Sequence, residues 1–428
     1  MHLLPLSPIV LAAAYAASAA ATPAKHTPTA TPAKGASAAA SATASTAATS
    51  PTAPTSGPSI NGTTFDTDVS KYNFDDTGYN YCQAPFPSQD SYKAVPGAQL
   101  EFVQLVIWKG SCESGQLTDR GKAQHHYLGT QLRSIYVGKL GFLPSALTST
   151  DSVYVRTTYV WRTKNTAESL LGGLWPNRGH DSTDAITLHT YPQSIETMSP
   201  NAAACPKVSV LSKEITTSDQ FKQFLKEENG LMAKLNGNLG VSGSSWTKNW
   251  GNQVDVLLSR LCHGMKLPCT NNTNCPTDAD VAQTMRNGHY QYAFNYRDHP
   301  LAQNYTRLAI GSFLATLRDQ MQNHIAGKTN KLKIAIYSGH DSTVAPILGV
   351  LKASNRDMLW PPYASNIAFE LWRKSDGGRV VRVIHNGQTL QLQSGAQWCD
   401  MESCPVAQFA KYLDDYIPQD IAAECASK

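Results

Sequence analysis

At 428 residues with 41% hydrophobic content, the chain is long enough to bury a large core. Its formal net charge is +4, from 36 basic and 32 acidic residues spread without a basic run, and charged residues make up only 16%. That pattern excludes a dedicated nucleic-acid-binding face, which needs clustered cations, and is compatible with a small anionic substrate without demanding one.

Residues 1–21, "MHLLPLSPIVLAAAYAASAAA", combine an apolar stretch with small residues near its end. They read as a secretory signal; a retained membrane anchor is the alternative, disfavoured by two prolines and much alanine, and no membrane span is expected once the signal is cleaved. Residues 22–71 follow as a stalk, and Thr22–Pro58 is almost entirely Ala, Thr, Ser and Pro. Such a composition buries too little surface to offset its ordering entropy, so a disordered, O-glycosylated segment is expected. The folded domain is then 72–425. Sequons at Asn61, Asn271 and Asn304 and nine cysteines suit an oxidising, glycosylating compartment, hence secretion or the cell surface. No two cysteines have zinc-knuckle spacing, so no metal site is expected. Four disulfides would leave one cysteine over, with the pairing open.

Within the domain, Leu100–Ile107 is an almost unbroken apolar run, the pattern of a strand buried on both faces of a parallel sheet. Leu117–Tyr136 has Leu128, Leu132 and Ile135 at helical spacing and Thr118 placed as its cap. Ser152–Thr157 predicts a second strand. "KNTAESLLGGLWP" predicts a helix that stops at Gly172-Gly173 and Pro176, and Ala185–His189 a short strand. From about 190 to 320 the text turns helical and loop-rich, an inserted helical lobe over the sheet. "KLKIAIY", Lys331–Tyr337, is a strong strand that passes through Ser338-Gly339-His340-Asp341 into the helix "STVAPILGVLK"; Asn366–Arg373 and Val380–His385 predict further strands of an α/β sheet.

Where a strand of such a sheet runs into a helix, free backbone N–H groups and the helix dipole attract anions. The junction "IYSGHDSTVAPIL" puts His340 and Asp341 there, an imidazole able to touch a phosphate oxygen beside a carboxylic acid able to reach a leaving oxygen. A plain helix cap, with Asp341 on backbone donors and His340 merely exposed, accounts for the same spacing.

"IYSGHDSTVAPILGVL" resembles the "HD" segment of the histidine acid phosphatases, branch 2 of the histidine phosphatase superfamily. The resemblance continues through "GQLTDRGKAQHHYLGTQLRSIYVGKLGFLPS", "VYVRTTYVWRTKNTAESLLGGLWP", "ITLHTYPQSIETMSPNAAACP" and "YRDHPLAQNYTRLAIGSFLATLRDQM", covering nearly everything from Leu100 onward. It implies a three-layer, phosphoglycerate-mutase-like α/β sheet with flanking helices and an inserted lobe. It also implies hydrolysis of phosphomonoesters through a phosphohistidine, with no metal or organic cofactor. Carried over by residue, His340 contacts phosphate, Asp341 donates the proton to the leaving group and Arg156 binds substrate phosphate. Arg162 falls on a supporting position, and Tyr159 stands where many members have aspartate. Positive charge around the equatorial oxygens is what such a transfer needs.

The family's nucleophile lies in an "RHGxRxP" loop after the first strand. Here Ile107 runs directly into "WKGSCESGQLT", and neither His nor Arg occurs between Ile107 and Arg120. Either "WKGSC" replaces the loop, or the loop is missing; the shortness of the turn favours the second. Lys109 could hold a phosphate as a point charge, but an amine with an ordinary pKa near ~10 is protonated and cannot attack. His125 and His126, on the next predicted helix, fall outside the nucleophile motif. Three expectations follow: a secreted acid phosphatase whose written sequence lacks a segment, a catalytically dead protein that still binds phosphate or phosphoesters, and a surface glycoprotein whose pocket is secondary. The substrate's alcohol and the oligomeric state are left open.

Overall fold

The computed structural model describes residues 80–108, 116–147, 149–176, 185–271, 273–354, 358–393, 395–396 and 398–426, with Ser59–Ile60 paired to Thr63–Thr64 further upstream. The signal segment, most of the stalk, Asn61 and Lys109 lie outside the described residues.

The apolar run forms strand β1 (Ala98–Trp108), at the centre of an eight-stranded sheet. With β2 (Val153–Thr157), β3 (Leu188–Thr190), β4 (Ile334–Gly339), β5 (Asn366–Lys374), β6 (Arg379–His385), β7 (Gln388–Thr389) and β8 (Cys404–Pro405), the order is β8-β6-β5-β1-β4-β2-β3, with β7 on β6. Strands β1, β4, β2 and β3 are mutually parallel, in register at Val103↔Ile334, Val155↔Ile336 and Arg156↔His189. Their carboxyl ends therefore open on one edge. Strand β5 pairs antiparallel to β1 and β6 to β5.

Alternation along β1 sets the layers. Val103, Leu105 and Ile107 pack with Leu128, Leu132, Ala167 and Leu170 of α1 (Asp119–Arg133) and α2 (Trp161–Leu174). Phe102, Val106 and Trp108 face the other way into a larger core. That core holds α9 (Ala302–Ile325), α10 (Asp341–Leu351), α11 (Val406–Asp414) and α12 (Ile421–Ala426). It continues into α3 (Pro206–Thr216), α4 (Asp219–Glu227), α5 (Asn229–Leu239), α7 (Trp250–Leu261) and α8 (Asp278–Ala293), while the single-turn α6 (Ser244–Thr247) buries nothing in it. The result is a mixed α/β fold with helices on both faces of a central sheet.

Thr118 caps α1 as expected, its Oγ1 accepting from the Gly121 N–H at 3.2 Å. Helix α2 departs from expectation. It begins at Trp161 and runs through Gly172-Gly173 to Leu174 instead of stopping at them. The glycines are there for contact: a Cβ on Gly173 would stand 1.9 Å from the His126 carbonyl oxygen, and one on Gly129 of α1 would stand 2.1 Å from that of Leu170. Missing side chains let the two backbones touch, and helical hydrogen bonding continues past them.

Four disulfides join Cys82 to Cys262, Cys205 to Cys425, Cys269 to Cys275 and Cys399 to Cys404. The ninth cysteine, Cys112, lies outside the described residues. Asn271, in a left-handed turn at φ 54° within the Cys269–Cys275 loop, and Asn304 on α9 are exposed.

Candidate active site

At the edge where the parallel strands end, β4 delivers His340 as the residue before α10 and Asp341 as its first residue. The turn is held by Thr343, whose Oγ1 accepts from the His340 backbone N–H at 2.9 Å and donates to the Met198 carbonyl. His340 Nε2 lies 3.0 Å from Thr158 Oγ1, just past the end of β2, and Nδ1 lies 3.4 Å from Arg162 NH2, on the first turn of α2. A guanidinium can only donate, so Nδ1 is the acceptor and the ring proton sits on Nε2, aimed at Thr158. Burial, followed by the positive charge of Arg162, pulls the imidazole down to about 4, so at neutral pH it is uncharged.

Asp341 presents both oxygens to protein donors. Oδ2 accepts from the Tyr292 hydroxyl at 2.6 Å and Oδ1 from the Ser342 N–H at 2.7 Å. Burial nevertheless raises its pKa; these two bonds and Arg162 act in the opposite direction. Tyr292 is itself fixed, its ring stacked on Trp360 at 4.4 Å between centroids and 6° between planes. Asp255, on α7, is open to solvent at its surface yet set within the same surround. Enclosure by protein and then the charge of Asp341 raise its carboxyl, with Arg162 pulling it down. The edge thus combines a fixed cation, a neutral imidazole, the Asp341 carboxyl biased toward its neutral form and the positive end of a helix, an arrangement suited to an anion.

Arg156 has a different setting. It is 1% exposed, and its NH2 donates to Glu196 Oε1 at 2.6 Å and to Thr197 Oγ1 at 3.0 Å. Glu196 Oε1 also accepts from the Thr197 and Met198 N–H groups, both at 2.8 Å, and the Tyr191 ring covers the guanidinium, its centroid 3.9 Å from Cζ. Through Met198 this cluster reaches Thr343 and the first turn of α10. Arg156 therefore braces the segment that supports the His340 turn, whereas Arg162 is the arginine beside the imidazole. His125 and His126 lie in α1, and the backbone of His126 meets Gly173 of α2.

Of the sequence candidates, the structure brings His340, Asp341 and Arg162 together and sets Arg156 against Glu196 instead. Tyr292, Asp255 and Glu196, which come from the lobe or the segment leading into it, carry no local motif that sequence reading could use. Strand and helix register say where the two arginine side chains start, not which partner each meets.

The model of the histidine phosphatase superfamily (branch 2) matches residues 28–386. The chain belongs to that family. Counting factor 60 of Dictyostelium discoideum is 28% identical over 363 residues, covering 81% of this chain and 82% of that protein. Lysosomal acid phosphatase of Xenopus laevis is 26% identical over 365 residues, covering 78% and 81%. Among solved structures, the phytase of Hafnia alvei in complex with tartrate aligns with a TM-score of 0.58 at 16% identity, over 78% of this chain and all of that one. This likeness concerns the fold of a branch 2 histidine phosphatase.

Proposed function

We propose that this branch 2 histidine phosphatase, secreted or held at the cell surface, binds phosphomonoesters or inorganic phosphate at the start of α10 and does not turn them over through a phosphohistidine. The observation that carries the reading is the meeting of His340, Arg162 and Asp341 at the carboxyl edge of the parallel strands. Arg162 supplies a permanent charge, the positive end of the α10 dipole adds to it, and His340 takes up a proton when an anion arrives beside it. Asp341, biased toward its protonated form, is the group able to hand a proton to an ester oxygen. What the chain lacks in sequence is an imidazole after β1 to attack phosphorus. Lys109 adds at most a charge. Passage through the secretory pathway is supported by the four disulfides and by the exposed sequons Asn271 and Asn304.

The test is calorimetric titration with inorganic phosphate, run alongside an aryl phosphate turnover assay. Binding without turnover, weakened at least tenfold by His340→Ala, is the expected result. Steady hydrolysis with a trapped phosphohistidine, or no phosphate binding, overturns the reading.

A second reading, an active acid phosphatase whose transcript carries a further segment between the codons of Ile107 and Trp108, is favoured by the cysteine count. Four bridges use eight cysteines and leave Cys112 seven residues before Asp119, the start of α1. A partner cysteine in a longer loop would complete the set. Sequencing the transcript across that junction decides it: an in-frame "RHGxRxP" segment establishes this reading, and uninterrupted coding sequence removes it.

A further inference from the structure

Seven large hydrophobic side chains stand exposed among the described residues, and every aromatic one of them, Tyr159, Trp161 and Tyr191, belongs to the edge where β2 and β3 end. Strands β2 and β3 are parallel neighbours in register at Thr157↔Thr190. Tyr159, in the turn after β2, Trp161, which opens α2, and Tyr191, directly after β3, therefore all lie past the same edge of the sheet. Trp161 is 59% exposed and immediately precedes Arg162, the arginine beside His340. Water-facing aromatic surface is costly, and a contiguous patch of it marks a binding surface more often than chance.

We propose that this patch is a stacking platform for the alcohol portion of a phosphomonoester held by its phosphate at His340 and Arg162. The site would thereby select esters whose alcohol presents a flat apolar ring face, a sugar ring or an aryl group, over linear phosphate esters. The inference rests on the reading of that edge as a phosphate cradle. Three features make the platform specific. Tyr191 is held flat by the buried Arg156 guanidinium, 3.9 Å from its centroid, so its orientation is fixed before any ligand arrives. Trp161 is fixed at the first position of α2, and the Lys164 ammonium stands 5.7 Å from its centroid. That lysine keeps a cation close to the Trp161 ring. Finally, Tyr159, 42% exposed in the turn between β2 and α2, adds a further neutral ring there. Rings rather than chains fit because aromatic faces gain most from flat partners that lie against them without losing internal freedom.

The experiment is calorimetric titration of the full-length secreted chain with four probes: inorganic phosphate, glycerol phosphate, phenyl phosphate and a pyranose phosphate. Ring esters are expected to bind about fivefold tighter than glycerol phosphate, the scale of one stacked ring. Trp161→Ala and Tyr159→Ala, both at exposed positions where truncation spares the core, are expected to bring that ratio toward one. The phenyl and pyranose arms distinguish the kind of ring. If inorganic phosphate binds but ring esters bind no tighter than glycerol phosphate, or if their advantage survives the double substitution, the platform is refuted and the cradle stands. If inorganic phosphate itself fails to bind, the cradle fails and the platform with it.

Discussion

His340 has one ring nitrogen facing a hydroxyl and the other facing a cation, so in the empty protein a second proton would point at Arg162. An anion placed between them reverses that preference. With the imidazole at about 4 among protein groups alone, affinity for a non-titrating dianion such as sulfate should rise as the pH falls from the higher pKa of the bound state toward 4, by at most about tenfold per pH unit for a single proton. Calorimetry in buffers of different ionisation enthalpy should record proton uptake, removed in large part by His340→Asn; protonation of Asp341 works in the same direction and accounts for any remainder. The sign for stability is opposite. A histidine held below its unfolded value of about 6.5 makes the empty protein lose stability as the pH falls through 6.5 toward 4, by up to roughly 3 kcal/mol, so sulfate should raise the melting temperature more at pH 5 than at pH 7.5. Arg156 gives the second prediction at this scale. Because it braces a buried carboxylate, Arg156→Met should cost about 3–5 kcal/mol in urea unfolding, and adding Glu196→Gln should recover much of that loss. A double substitution no more stable than the single one would show that Arg156 has another role. The sequence marked both arginines, yet only the tertiary fold, which brings Glu196 under one and His340 beside the other, separates their roles.

Secondary structure was legible wherever apolar periodicity was strong: β1, β4, α1 and the turn into α10 were all visible in the chain text. The end of α2 was not, since a glycine pair that stops a helix and one that lets two helices touch read alike in one dimension. The structure makes the difference measurable. Gly173→Ala drives a methyl into the His126 carbonyl and should cost about 2–3 kcal/mol or more, through overpacking that backbone cannot relieve. Another element-level feature also escaped sequence reading. Glu370 of β5 is fully buried, taking the Tyr92 and Tyr136 hydroxyls on Oε1 and the Trp372 indole and Arg382 guanidinium on Oε2. A single carboxylate thus ties the segment before β1, the turn just after α1 and strands β5 and β6. Glu370→Ala, which leaves Arg382 buried without its main counter-ion, should cost about 3–5 kcal/mol in denaturant unfolding. Nothing in the local pattern announced it, because all its partners but Trp372 come from other stretches of chain.

Over the whole molecule, the sequence foresaw an α/β sheet with helices packed on it, and the four disulfides are consistent with the oxidising compartment it suggested. Disulfide pairing could not be read, since cysteine spacing does not record which strands and helices lie together. The two long-range bonds should matter most for stability. Loops of 180 and 220 residues correspond to roughly 5 kcal/mol each in the chain-entropy account, and Cys205→Ser with Cys425→Ser should lower the melting temperature by several degrees. Their spans, 82 to 262 and 205 to 425, overlap. A single peptide-bond cut anywhere between Cys82 and Cys425 therefore always falls inside at least one covalent ring. A protease that nicked this protein once in that interval would leave its two pieces bolted together, migrating as one species on a gel until a thiol reagent parted them.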